Sequence, residues 1–147
     1  MPQRLGADVQ DPNYFNEMCK AKLPGLLGIT MTFVSDCEAR AEMQVTTSHL
    51  APNGYLHAGS VVSLADTACG NGCIANLPLG ASGFTTIELK SNHLGTVADG
   101  VITCVASPVH TGRTTQVWDA TVASKDNGKT IALFRCTQMI LYPKNPS

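Results

Sequence analysis

The sequence predicts an α+β fold, on three observations. One stretch, 57–77, repeats Val61, Leu64, Ala65, Ala68, Gly72 and Ala75 at the three- and four-residue spacing of a helix that buries a stripe. Six other stretches alternate apolar and polar residues with the two-residue period of half-buried strands. Between the later ones stand glycine-bearing turns suited to hairpins. The predicted order is helix, two strands, long helix, four strands, in a single domain over 1–147 with no internal repeat or linker.

The elements follow in chain order. Residues 1–10 form a polar lead-in to an N-terminal extension, 1–22, that carries one short helix. Asp11 and Pro12 supply its N-cap and first position, Phe15, Met18 and Cys19 share one face, and Leu23-Pro24-Gly25 stops the run. Ile29, Met31 and Phe33 alternate with Thr30 and Thr32, and Ala39, Ala41, Met43 and Val45 alternate with Arg40, Glu42 and Gln44. These predict two strands joined near Ser35-Asp36, and the stretch 49–56, with Pro52, Asn53 and Gly54, reads as a loop. Beyond the long helix, strands are expected near 84–94, 101–109, 114–124 and 130–142. Asp99-Gly100, Thr111-Gly112-Arg113 and Asp126-Asn127-Gly128 would join them into a four-stranded antiparallel meander.

Composition narrows the function. Of 147 residues 44% are hydrophobic and only 14% charged, so part of the surface is expected to lie under another chain or a ligand. Ten Lys and Arg against eleven Asp and Glu, with no basic run, exclude a protein that binds by neutralising nucleic-acid phosphates. Apolar runs such as 131–134 and 139–142 fall far short of the roughly 20 residues that cross a bilayer, so no membrane is expected. The first fifteen residues lack the pattern of a secretory signal, and the expected location is cytoplasmic. Six cysteines in apolar segments are expected as free, buried thiols.

Asp66 is the single charge between Ala58 and Leu77. It lies opposite the Val61, Leu64, Ala68, Ala75 stripe, among Gly59, Val62, Ser63, Cys69, Gly70 and Cys73. A water-facing surface would carry Lys, Glu or Arg, so this face too is expected to be covered, its small residues admitting close approach. A carboxylate held there is partly desolvated and becomes a candidate base or nucleophile; the alternative is a plain hydrogen-bonding role on a helix face. The helix start, His57-Ala58-Gly59-Ser60, offers unpaired N–H groups and a positive dipole end to an oxygen that gains charge during reaction. From Ala58 to Asp66 the helix climbs roughly 12 Å, so one small reacting centre cannot touch both. Their cooperation requires two antiparallel copies of the helix across a dimer.

These residues carry a resemblance. Asn53-Gly54-Tyr55-Leu56-His57-Ala58-Gly59-Ser60, Leu64-Ala65-Asp66-Thr67-Ala68 and Thr85-Thr86-Ile87-Glu88-Leu89 resemble, in that order, the hotdog-fold acyl-CoA thioesterases of the phenylacetate-degradation (PaaI) type, over about 23–142. The resemblance implies a long central helix wrapped by a six-stranded antiparallel sheet. It implies edge-to-edge homodimers with shared active sites, dimers paired into tetramers, and an acyl-CoA substrate hydrolysed without cofactor or metal. By the same resemblance Asp66 is the catalytic carboxylate, which activates water or attacks the thioester itself. His57 helps to place the thioester, Ala58 offers its N–H to the carbonyl oxygen, and Thr86 supplies a hydroxyl to the carboxylate or water. Asn53, Gly59, Gly112 and Arg113 are the implied substrate contacts, Arg113 toward the CoA phosphates. The chain departs from the family at Ala58, where a glycine is usual, and at Ala51, where an asparagine is usual and Asn53 follows two residues later.

Other chemistries fit less well. No Gly-x-Ser-x-Gly elbow supports a serine hydrolase, and helix geometry keeps His57, Ser60 and Asp66 from forming a triad. Cys69 and Cys73 supply two corners of a zinc site without a third. A hotdog hydratase or dehydratase would need a different His and acid motif. A non-catalytic acyl-CoA-binding protein is kept open by Ala51 and Ala58. His49, His93 and His110 are expected to be solvated or capping, and Phe84, Leu94 and Trp118 are the candidates to shape an acyl pocket.

Overall fold

Asp11 opens helix α1 (Pro12–Cys19) by accepting a hydrogen bond from the Asn13 N–H, with Pro12 at the position where a missing N–H costs nothing. The computed structural model describes residues 9–144, so most of the predicted lead-in, residues 1–8, lies outside the described residues. Phe15 is the anchor of α1 in the core. The Leu23-Pro24-Gly25 stretch does more than stop α1: it starts a second helix, α2 (Leu23–Leu27), because proline is tolerated in a first turn. Gly28 ends α2 in the left-handed conformation, φ 75°, and hands the chain to the sheet.

That sheet holds β1 (Ile29–Val34), β2 (Ala39–Gln44), β3 (Gly83–His93), β4 (Val101–Thr111), β5 (Thr115–Ser124) and β6 (Thr130–Leu141). All neighbours are antiparallel, in the order β1-β2-β4-β5-β6-β3. The expected four-stranded meander is therefore corrected to three strands, β4-β5-β6, with β3 crossing to the far edge to pair with β6. Asp99-Gly100 is not a hairpin turn: the Gly100 carbonyl accepts from the Val45 N–H and the Gln44 amide, fastening the end of the crossover to β2. The other two turns are hairpins as expected, closed by Gly112 N–H to Thr115 O at 2.8 Å and Gly128 N–H to Ser124 O at 2.9 Å. Phe33 also departs from expectation. A bulge between Met31 and Phe33 shifts the alternation, so that Val34 fills the core and Phe33 lies outside, 5.1 Å beneath the Arg40 guanidinium.

The long helix α3 (Ala58–Ala75) packs against every strand of the sheet, the wrapped arrangement that the resemblance implies. Its small residues have a different purpose from the one expected. Cys69, Gly70 and Cys73, anticipated to face a second chain, are buried within this one. A Cβ on Gly72 would come within 2.6 Å of the Trp118 ring, and one on Gly70 within 2.9 Å of Phe84. The small side chains thus admit the sheet's own aromatic rings against the helix backbone. Trp118 is wholly buried and belongs to the core, which removes it from the expected acyl pocket; Leu94 is exposed and Phe84 half-buried.

The Trp118 indole donates to Gln116 Oε1 at 2.8 Å, and Gln116 Nε2 donates to the Asn76 carbonyl at 2.9 Å, closing off the end of α3 with a buried network. All six cysteines are free thiols. Cys69, Cys73, Cys104 and Cys136 are buried as expected, whereas Cys37 is exposed in the β1–β2 turn and Cys19 half-buried. Burial pushes the Cys73 and Cys104 thiols up to about 12.

Candidate active site

The start of α3 is held by one histidine. His49, expected to be solvated or capping, caps a short 3₁₀ turn (Thr47–His49) but is buried. Its Nδ1 accepts from the Thr46 N–H at 2.9 Å, which leaves the proton on Nε2 to donate to the Leu27 carbonyl at 2.7 Å. The His49 carbonyl then accepts from the His57 N–H at 3.0 Å and the Ser60 hydroxyl at 2.8 Å. One residue so ties α2, the loop and the first turn of α3 together. Ser60 is spent in that anchor, in keeping with the absence of a serine triad.

His57 is the N-cap of α3, and its Nδ1 accepts the Gly59 N–H at 2.8 Å. A side chain at Gly59 would meet that imidazole at 2.9 Å, so glycine is what lets the ring fold back. The N–H of Gly59, a residue expected among the substrate contacts, is used inside the chain. Nε2 of His57 carries the remaining proton outward from an exposed residue. Ser60 and Val61 donate to the His57 carbonyl, and among the described residues only the Ala58 N–H of this first turn is left without an acceptor. Ala58 lines a cleft of about 230 Å³ with Asn53, Tyr55, Leu56, Val61, His93, Gly95 and Thr96. Asn53 sits there with its side-chain oxygen accepting from the Tyr55 N–H, a turn that shapes the rim.

Asp66 stands farther along the unbroken helix, as its spacing from Ala58 requires. It lies on the strip that the sheet leaves partly open, with Gly59, Val62, Ser63 and Thr67. Burial raises its carboxyl above the ordinary aspartate range, and a hydrogen bond from Thr86 opposes part of that rise. Thr86 reaches it from β3 at 3.2 Å, at a bulge between Thr86 and Glu88. The predicted Asp66–Thr86 pair is therefore brought together, and the predicted helix-start group is held apart from it.

Gly112 and Arg113 occupy the β4–β5 turn, at the sheet end that carries Thr86 rather than the end that carries His93. Arg113 is exposed, and its carbonyl accepts from the Tyr142 hydroxyl. Among the described residues no group of three or more His, Cys, Asp or Glu is arranged to hold a metal, so Cys69 and Cys73 stay without partners for one.

His93, expected to be solvated or capping, is exposed and closes the cleft at Ala58. One residue escaped the sequence reading. Gln138 is wholly buried with its Oε1 2.7 Å from the Thr86 hydroxyl. Its signal was present: an amide at an inward position of β6 between Cys136 and Ile140, where strand alternation calls for an apolar side chain.

Comparison with known proteins bears on the family and the fold. The model of the family described as "Thioesterase superfamily" matches residues 53–131, from the loop before α3 into β6. A 1,4-dihydroxy-2-naphthoyl-CoA hydrolase of Listeria monocytogenes is 32% identical over 76% of this chain and 89% of its own. The crystal structure of a variant of the thioesterase PA1618 from Pseudomonas aeruginosa has a TM-score of 0.86 at 31% identity, covering 93% of this chain and 98% of that one. The PaaI protein of the E. coli phenylacetic acid degradation operon has a TM-score of 0.74 at 28% identity, with 88% of each chain covered.

Proposed function

The chain belongs to the thioesterase superfamily, with the hotdog fold and an acyl-CoA hydrolase activity, and from that premise we propose that Asp66 is the base that activates water against the thioester. The observation that carries this reading is a half-buried carboxylate on the open strip of α3, steadied by Thr86. Asp66 takes one proton from water while the oxygen attacks the thioester carbonyl. The carbonyl oxygen gains charge against the Ala58 N–H and the His57 Nε2 proton. Collapse breaks the carbon–sulfur bond, and the proton on Asp66 passes to the departing CoA sulfur, giving free acid and CoA. Asn53 borders the acyl end, and Arg113 is the cation offered to the CoA phosphates.

Because Asp66 and Ala58 cannot meet within one helix, each site takes Asp66 from one protomer and the helix start from its partner. The long edge of β3 supports this geometry. Thr86 and His93 are separated along β3 by roughly 23 Å at 3.3 Å per residue, and antiparallel pairing with a second β3 sets each against the opposite end of its copy. Glu88 and Lys90, both exposed and two residues apart on one face, offer opposite charges to such a copy. Dimers of this kind, paired into tetramers, would cover the exposed Ile87 and Leu89 and account for the poverty of surface charge. An acyl-CoA substrate fits work in the cytoplasm, and each protomer gives one hotdog domain to the paired sites.

Mixing Asp66→Asn chains with His57→Ala chains should restore acyl-CoA hydrolysis above either parent, read by thiol release. No recovery despite subunit exchange, followed by mass spectrometry of the mixed dimers, would refute the shared site. The pH profile gives a second check. Only the ionised carboxylate accepts a proton, so the rate should fall as pH drops through a pKa above the ordinary aspartate value. A profile level down to the usual aspartate range would contradict the base.

A further inference from the structure

The Thr86 hydroxyl holds one proton and faces two acceptors, Asp66 Oδ1 at 3.2 Å and Gln138 Oε1 at 2.7 Å. The Gln138 amide nitrogen is turned away onto the Cys136 sulfur at 3.3 Å, which keeps its oxygen on Thr86. Gln116, the cross-strand partner of Gln138, is equally buried but is consumed at the end of α3. The two glutamines thus divide between the fold and the site. We propose that Gln138 is a positioning residue of the hydrolytic site, competing with Asp66 for the single Thr86 proton. This rests on Asp66 being the base.

The state of Asp66 decides the competition. Protonated, Asp66 donates to Thr86 Oγ1 and Thr86 donates to Gln138, so each oxygen is served. Ionised, Asp66 draws the Thr86 proton to itself and leaves the Gln138 oxygen buried without a donor, which carries a cost. Gln138 therefore favours the protonated carboxyl, in the same direction as burial. The consequence is a stronger base once the proton has left, which suits the removal of a proton from water. Within the chain the other titratable groups around Asp66 are thiols, Cys69 a turn along α3, then Cys136 of β6 and Cys104 of β4 beside Cys69, and in the proposed dimer the partner's His57 imidazole faces the same thioester. From β3 the contact is the Thr86 hydroxyl, and among the described residues neither a cation nor a second carboxylate acts on Asp66.

The test is the pH dependence of kcat/KM for acyl-CoA hydrolysis. Gln138→Met keeps the length of the side chain and removes its oxygen. The acid limb should then move to lower pH by about half a unit or more, with KM little changed. In a Thr86→Val background the same change should leave the limb in place, since the shared proton is gone. A limb unmoved or shifted upward by Gln138→Met overturns the proposal and leaves Asp66 as the base. A wild-type profile with no acid limb removes both. Where Gln138→Met does not fold, Gln138→Asn withdraws the amide by one carbon and gives the same reading.

Discussion

Asp66→Asn should lower kcat/KM for acyl-CoA hydrolysis by ~10²- to 10⁴-fold, the range that a positioned proton acceptor contributes. The substitution isolates chemistry from shape. Asparagine has the same outline and keeps an oxygen for the Thr86 hydroxyl, but it takes no proton from water. Stability should not follow activity downward, because a half-buried carboxylate that burial already penalises is replaced by a neutral amide. Thiol release from phenylacetyl-, benzoyl- and medium-chain acyl-CoA, together with a thermal melt of the same preparations, separates the two effects. An undiminished rate on a substrate that the wild type hydrolyses would exclude Asp66 from the reaction. Absence of thiol release by the wild type on every substrate would instead favour the non-catalytic reading that Ala51 and Ala58 suggest.

Trp118→Ala should cost ~3–5 kcal/mol of folding stability, the toll of emptying a large buried aromatic site. The indole is wholly enclosed against the backbone of Gly72, and its loss also leaves Gln116 Oε1 without its donor. Gly72→Ala should destabilise as well, by about 1–3 kcal/mol, because its methyl would be driven into that ring. The two changes should not add. With the ring gone the Gly72 methyl enters a void, so the double variant should melt no lower than Trp118→Ala alone. Chemical denaturation of the four proteins in the cycle measures this, and simple additivity would show that Gly72 is not the seat of the indole.

What could be read beforehand follows the range of the interactions involved. The helix start at Asp11, the strand alternation of β2 and the hairpins at Gly112 and Gly128 depend on neighbours in sequence, and each was legible. The path of β3 was not, because pairing with β6 rather than β4 is a choice between two partners of similar pattern. Phe33 was misplaced since a bulge is one residue of slack that alternation cannot show. Within the site, Asp66 stood out as a charge without company and Thr86 through the family motif. Small residues on α3 were misread because smallness signals close approach without saying by whom, and the answer was Trp118 and Phe84 of the same chain. Gln138 needed the knowledge that β3 and β6 are neighbours before its oxygen could be set against Thr86.

The crossover of β3 also gives the molecule an order of assembly. As the chain leaves the ribosome, α3 and β3 emerge with Asp66 and Thr86, but β6, which pairs with β3, is the last of the described strands to appear. Until β6 is laid down, Thr86 lacks its second acceptor and the backbone of β3 is bare on both sides. The Asp66–Thr86–Gln138 cluster is thus incomplete until synthesis of the sheet is finished, and a nascent chain interrupted before β6 carries Asp66 and Thr86 without Gln138.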